Sequence, residues 1–348
     1  MPYYQYLRQV DEDERQRTAA GLLRLKTALA NSVPAKTISE NLLIATWNIR
    51  DFDGKAYGKR SEEAIYYIAE ILDHFDLIAV QEINEDLDGL YRVRRVLGNQ
   101  WRIIYSDTTS GKSGNQERLG FLYDSRKLTF TDLAGEIVIP PIEVETEDGS
   151  KTYEPQKQLA RTPFIVGLRT SWFKFMISTV HIVYGSGVND SPERVREIQL
   201  LSDFLAERTE RRFAHARNLI LLGDFNIFKK TNKTFAEITK NFHIPEELQD
   251  LPSNVSQNKY YDQIAFKGDV PVADINAGIF NFFEHVYRLE DELDYASQMP
   301  DTYSDKTDPA AKTRYFKTYW RTHQISDHLP MWVELKIDFS EDYLRNML

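Results

Sequence analysis

Two hydrophobic periods alternate along this chain. Between Leu22 and Leu29 apolar side chains recur at helical spacing behind the charged stretch 11–17, which predicts a helix near the start. From Leu42 the texture changes to short apolar runs separated by amphipathic segments. Residues 42–46 and 77–80 read as buried strands, and 61–75 and 87–97 as helices. Further strand-like runs cover 101–105, 119–123, 164–168, 173–181, 219–222, 260–266 and 331–337, with one more helix between Pro192 and Arg211. Residues 140–158 and 299–322 follow neither period and are expected as long loops. The pattern predicts an α/β (α+β) protein. Many strands and few helices suggest two sheets packed face to face with helices outside, although periodicity alone does not separate this from a single mixed sheet.

The chain divides into an N-terminal helical extension, 1–38, and one larger domain, 39–340, carrying the two inserted loops. With 348 residues and 42% hydrophobic content, such a domain can bury a large core. There is no cysteine, which excludes a disulfide framework, a thiolate nucleophile and a cysteine-held zinc. Residues 1–17 lack the basic cap and apolar core of a secretory signal, and no apolar run approaches membrane-spanning length. A cytoplasmic protein without membrane contact is therefore expected. The formal charge of −10 argues against gripping nucleic acid through a broad basic surface. An acidic cleft holding a divalent cation stays compatible with it, because the ion reverses the sign met by an anionic substrate.

Candidate chemistry gathers where the apolar runs end. Asn48 and Arg50 follow the first strand, Glu82 the second, His181 closes 173–181, and Asp224 and Asn226 follow 219–222. Asp262 sits in the run beginning at Tyr260, and Ser326-Asp327-His328 precedes the last strand. Strand ends converge on one edge of a layered sheet, and carboxylates, amides and histidines collected there suit a hard divalent metal and a phosphate. Singly, each of these is more often a cap, a turn or a structural histidine.

Their order along the chain resembles the endonuclease/exonuclease/phosphatase superfamily, most closely its deoxyribonuclease I-like nucleases, from Leu42 to Ile337. Trp47-Asn48-Ile49-Arg50, Gln81-Glu82, Gly223-Asp224-Phe225-Asn226 and Ser326-Asp327-His328 carry the likeness. It implies a four-layer sandwich of two packed mixed β-sheets flanked by helices. It also implies that Glu82, Asn48 and Asp327 hold Mg2+, with Mn2+ or Ca2+ as alternatives, and that Asp224 and Asn226 orient or deprotonate the attacking water. His181 and His328 become the catalytic histidines, partnered by Glu117 and Asp262, while Arg161 and Arg50 bind phosphate. The order of proton transfer between the histidines is left open.

Two positions depart from the nuclease pattern. Asn115 and Asn84 stand where those nucleases place a tyrosine and an arginine that grip the minor groove, leaving amides to contact substrate. The function implied is a metal-dependent phosphodiesterase, an endonuclease with a nucleic acid substrate, DNA first. A phosphatase or phosphodiesterase acting on a phosphoinositide, sphingolipid or nucleotide is the alternative on the same fold, and a catalytically inactive binding protein a further one. Because unrestrained DNA cutting inside a cell is harmful, a protein partner or inhibitor, or the N-terminal helix, is an expected restraint. The segment 299–322, rich in lysine, arginine and aromatic residues, is expected to stack on bases and neutralise phosphates.

Overall fold

The computed structural model describes residues 1–54, 58–110, 115–212, 214–271, 276–345 and 347–348. The first strand, β1 (Asn41–Phe52), shows how the layers arise. Successive side chains on a strand point to opposite faces. Here Leu42 and Ile44 enter one hydrophobic core, and Leu43, Ala45 and Trp47 enter another. A strand apolar on both faces must be covered on both, so β1 lies in the middle of a sandwich.

The remaining strands are β2 (Leu77–Ile83), β3 (Trp101–Tyr105), β4 (Arg118–Asp124), β5 (Thr129–Glu136), β6 (Ile142–Glu145), β7 (Lys151–Glu154), β8 (Phe164–Thr170), β9 (Phe173–His181), β10 (Leu219–Asp224), β11 (Asp262–Lys267), β12 (Ala277–Ile279) and β13 (Met331–Lys336). They form a six-stranded sheet, β12-β13-β1-β2-β4-β3, and a five-stranded sheet, β11-β10-β9-β8-β5. The first core lies between these sheets, where Ile44, Leu77, Phe121 and Val333 of one meet Val166, Phe175 and Ile177 of the other. Helices α1 (Glu12–Ser32), α2 (Glu62–Leu72) and α3 (Asp88–Leu97) cover the outer face of the first sheet. Helices α4 (Pro192–Glu210) and α5 (Lys233–Thr239) cover the second, giving the four-layer sandwich expected.

The N-terminal helix shares the core of its layer. Asp11 caps α1 by accepting from the Glu14 amide, and Leu22, Leu25 and Leu29 are buried against α2. Arg17 pairs with the buried Glu63 at 3.0 Å, and Tyr67 and Tyr295 donate to that carboxylate at 2.6 and 2.9 Å. Glu63 thus ties α1, α2 and the 289–298 segment together.

Both expected loops contain regular structure. Residues 140–158 hold an exposed hairpin, β6–β7, turned at Thr146–Gly149. Residues 299–322 are largely helical, with short helices Asp301–Ser304, Pro309–Tyr315 and Arg321–Gln324 and one π turn at Phe316–Trp320. Asp308 caps the second of these, followed by Pro309 in the first helical position, a start signal that the polar composition conceals. Phe316 and Trp320 point inward against Tyr295 and Tyr287, and Tyr303 is buried with its hydroxyl donating to Glu292 at 2.8 Å. Among the described residues, no helix is long and apolar enough to cross a membrane.

Candidate active site

Strand direction gathers the polar residues at one end of the sandwich. β1 and β2 run parallel at the centre of one sheet, as do β9 and β10 in the other. Their carboxyl ends carry Asn48, Glu82, His181 and Asp224. β11 runs antiparallel to β10, so its first residue, Asp262, lies beside Asp224. β4 runs antiparallel to β2, which brings Glu117, just before it, to the same edge, and β13 against β1 does this for His328. Gln81 joins the sheets there, donating to Thr46 at 3.1 Å and to Thr179 at 2.8 Å.

Asn48 stands at the junction. Its amide nitrogen donates to Glu82 at 2.9 Å and to Asp224 at 3.0 Å, while its Oδ1 is buried with no hydrogen-bond partner. Glu82 also accepts from the Asp51 amide at 2.7 Å, and adopts φ +59°. That conformation is strained for a side-chain-bearing residue, and such strain persists where surrounding contacts enforce it, as they do around binding sites. Asn226 likewise has φ +52°; its backbone N–H donates to Asp224 at 2.8 Å and its side chain to the Ile182 carbonyl at 2.8 Å. The all-oxygen set of a glutamate and an unpartnered amide oxygen fits a hard divalent cation. Glu82, Glu117 and His181 lie within ligand distance of one another, as do Asp224, Asp262 and His328.

Each histidine is braced by a carboxylate. His181 Nδ1 lies 3.0 Å from Glu117, whose other oxygen is paired with Arg161. His328 Nδ1 lies 2.8 Å from Asp262, whose carboxylate is fixed by a 2.6 Å bond from the Ser253 hydroxyl. The opposite ring nitrogens point at one oxygen of Asp224, His181 Nε2 at 3.5 Å and His328 Nε2 at 3.8 Å. Burial, together with the nearby Arg161 charge, pulls His181 down to about 4, against the attraction of Asp224 and Glu82. Burial also opposes a charge on His328, but Asp262 and Asp224 outweigh it and hold that imidazole well above its ordinary value. The two rings are thus biased in opposite senses, His181 towards its neutral form and His328 towards its cationic form.

The other sequence candidates lie at the rim or apart. Asp327, with a half-exposed side chain, faces Arg50 at 3.8 Å and is in neither ligand-distance group. Arg50 donates to Thr322 Oγ1 at 2.5 Å. Asn84 donates to Asp51 at 3.1 Å, and Asn115 lies exposed on the turn before Glu117 with φ +54°. Buried Arg161 is pulled below its ordinary value by burial, against Glu82, Asp224 and Glu197. Sequence reasoning passed over Ser253, Asp51 and the role of Ser326, whose hydroxyl donates to the Asn48 carbonyl at 2.6 Å and accepts from the His328 amide at 3.0 Å. For Ser253 no sequence signal exists; for Ser326, its place directly before Asp327-His328 was the available one.

No family model matches the chain. A deoxyribonuclease from Thioalkalivibrio sp. is 29% identical over 205 residues, which are 56% of this chain and 48% of that protein. The chain thus spans about half the length of the curated relative it matches. Among solved structures, a mannosyl-6-phosphatase from Bacteroides thetaiotaomicron gives a TM-score of 0.53 at 16% identity, over 84% of this chain and 99% of that one. An endonuclease/exonuclease/phosphatase family protein from Leptotrichia buccalis gives 0.51 at 13% identity, over 86% of this chain and 100% of that one. At such identities the shared property is architecture. The two mixed sheets, the helices outside them and the order of the edge residues together give this chain the deoxyribonuclease I-like fold of the endonuclease/exonuclease/phosphatase superfamily.

Proposed function

We propose that this protein is a divalent-metal-dependent phosphodiesterase that hydrolyses nucleic acid, with DNA as its first candidate substrate. The observation that carries the reading is the convergence of two carboxylate-braced histidines on Asp224, beside the Asn48–Glu82 pair. Diester hydrolysis needs an activated water, a neutralised transition state and a protonated leaving oxygen. Asp224 is central to both ring nitrogens, so it positions a water. Neutral His181, with its Nδ1 proton directed to Glu117, presents Nε2 as a proton acceptor. Cationic His328 presents an N–H to a phosphate oxygen or the leaving group. Arg161 holds Glu117 in place and adds positive charge beside the phosphate. Glu82 and the Asn48 amide oxygen are the groups that would hold the cation, which when bound supplies Lewis-acid polarisation of the phosphate. Asp327 and Arg50, at the rim, are proposed as outer contacts to metal and phosphate.

The deoxyribonuclease relative and the His181–Glu117–Arg161 chain favour a nuclease over a small-molecule phosphatase. Incubation of the purified chain with supercoiled plasmid and Mg2+ or Mn2+ tests this. The expected result is nicking that EDTA stops and that His181→Ala abolishes. Release of phosphate from small monoesters with plasmid left intact would overturn the nuclease reading in favour of the phosphatase.

A further inference from the structure

Beside the catalytic residues lies an open pocket of about 610 Å³ between the 281–289 and 317–322 segments and the turn at 254–256. One wall is continuous with the site. Asp327 lines it, and so does Tyr261, whose ring stacks on His328 with centroids 5.3 Å apart. The turn is pinned to the same backbone, Val255 donating to the Asp327 carbonyl at 2.9 Å and Leu329 to that of Ser253 at 2.6 Å. The pocket is therefore fixed relative to His328.

Its charges are unevenly satisfied. The two lining carboxylates have partners, Asp327 facing Arg50 at 3.8 Å and Glu284 accepting from Asn281 at 2.8 Å. The two lining cations have no counter-anion: among the described residues, no carboxylate pairs with Arg321 or Lys317. Arg321 is only 5% exposed, its Nε and Nη1 donating to the Lys317 and Tyr287 carbonyls at 3.1 Å each, with its guanidinium 4.2 Å above the Phe283 ring. Burial alone acts on it and pulls it down to about 10. A buried guanidinium without a counter-anion is costly unless a ligand supplies the anion, and its planar fork suits a phosphate. Asn281 adds a buried Oδ1 with no partner, an acceptor for a sugar hydroxyl or a base N–H. Within the segment 299–322, this pocket is lined by cations, while Trp320 is turned into the core and Tyr319 stays exposed outside it.

We infer that this pocket is a subsite for the phosphate one linkage along from the bond being cut, held by Arg321 and Lys317, with Asn281 contacting the attached nucleoside. This rests on the diesterase reading above and narrows it: the substrate is a polynucleotide segment, recognised by at least two consecutive phosphates.

The test compares the dinucleotide TpT with the same dinucleotide carrying one further terminal phosphate, at either end in turn. In the full-length wild-type chain, kcat/KM should favour one of the phosphorylated forms by about tenfold, the size expected for a charge-assisted contact. Lys317→Ala should cut that preference to below about threefold and Arg321→Met should remove it, while Lys317→Arg retains it. Each preference is a ratio within one preparation, so partial misfolding of the Arg321 variant cancels, and Lys317 is exposed. Equal rates in the wild type, or an unchanged ratio in both charge-removing variants, would overturn the subsite. Binding of the same dinucleotides, followed by fluorescence titration with EDTA present, separates the two readings. Discrimination in binding without cleavage refutes the diesterase and leaves the subsite standing; cleavage without discrimination does the reverse. Displacement of the phosphorylated ligand by equimolar inorganic phosphate would show a free-ion site and overturn the inference too.

Discussion

Replacing Glu117 by glutamine tests how much the His181 brace contributes and through which partner. Glu117, Arg161 and His181 are all nearly solvent-free, and the carboxylate serves both the guanidinium and the imidazole at once. Glutamine keeps the shape and removes the charge, which leaves Arg161 as a buried cation without its partner. Breaking a buried pair from one side costs about 3 kcal/mol or somewhat more. The midpoint of urea unfolding should fall accordingly, with an unchanged slope. Adding Arg161→Met removes the stranded charge, so the double variant should recover about 2 kcal/mol relative to Glu117→Gln alone, a coupling within the range of contacting residues. Activity should behave differently. A neutral amide, which can donate as well as accept, no longer enforces the Nδ1 proton of His181 and a free Nε2, and plasmid nicking should fall by about 100-fold or more in both variants. Stability that returns while activity does not is the signature of this arrangement. A Glu117→Gln protein within about 1 kcal/mol of wild type, or a double variant no more stable than the single, would refute the reasoning.

Three further outcomes follow from the same geometry. In a thermal-shift assay, Mg2+ at tenfold its Kd should stabilise the wild type by about 1.4 kcal/mol, and Glu82→Gln should abolish the shift, separating metal binding from turnover. On acidification, His181 should cost stability: its folded value of about 4 lies below the 6.5 of the free side chain, so its contribution is complete above 6.5 and lost as pH falls towards 4. The loss is about 3 kcal/mol across that window, measured as a urea midpoint that drops less steeply in His181→Gln. His328, held above its ordinary value, acts in the opposite sense, with a contribution present at low pH and lost as pH rises through its own titration. Finally, Leu25 of α1 is fully buried, and Leu25→Ala should destabilise the whole domain by about 3 kcal/mol in a single unfolding transition; a separate early transition would instead mark α1 as an independent unit.

The sequence by itself carried the alternation that made β1 apolar on both faces, the turn-associated residues after each strand, and the order of motifs from Asn48 to His328. Those features depend on local chain geometry and on side-chain chemistry, both of which a linear pattern records. It did not carry strand order. β1 neighbours β13 and β2, and Glu117 reaches His181 across the sandwich, because hydrogen bonding and burial pair segments far apart in the chain. The different states of the two histidines were equally hidden, since they depend on which charges surround each ring: Arg161 beside His181, and Asp262 with Asp224 beside His328. The clearest divergence is at 299–322. Its composition suggested a polar loop, yet Phe316 and Trp320 are buried and Arg321 is enclosed beside the site. Composition gives the free energy a side chain gains by leaving water, but only the assembled core decides which side chains can leave it and which charges remain without partners.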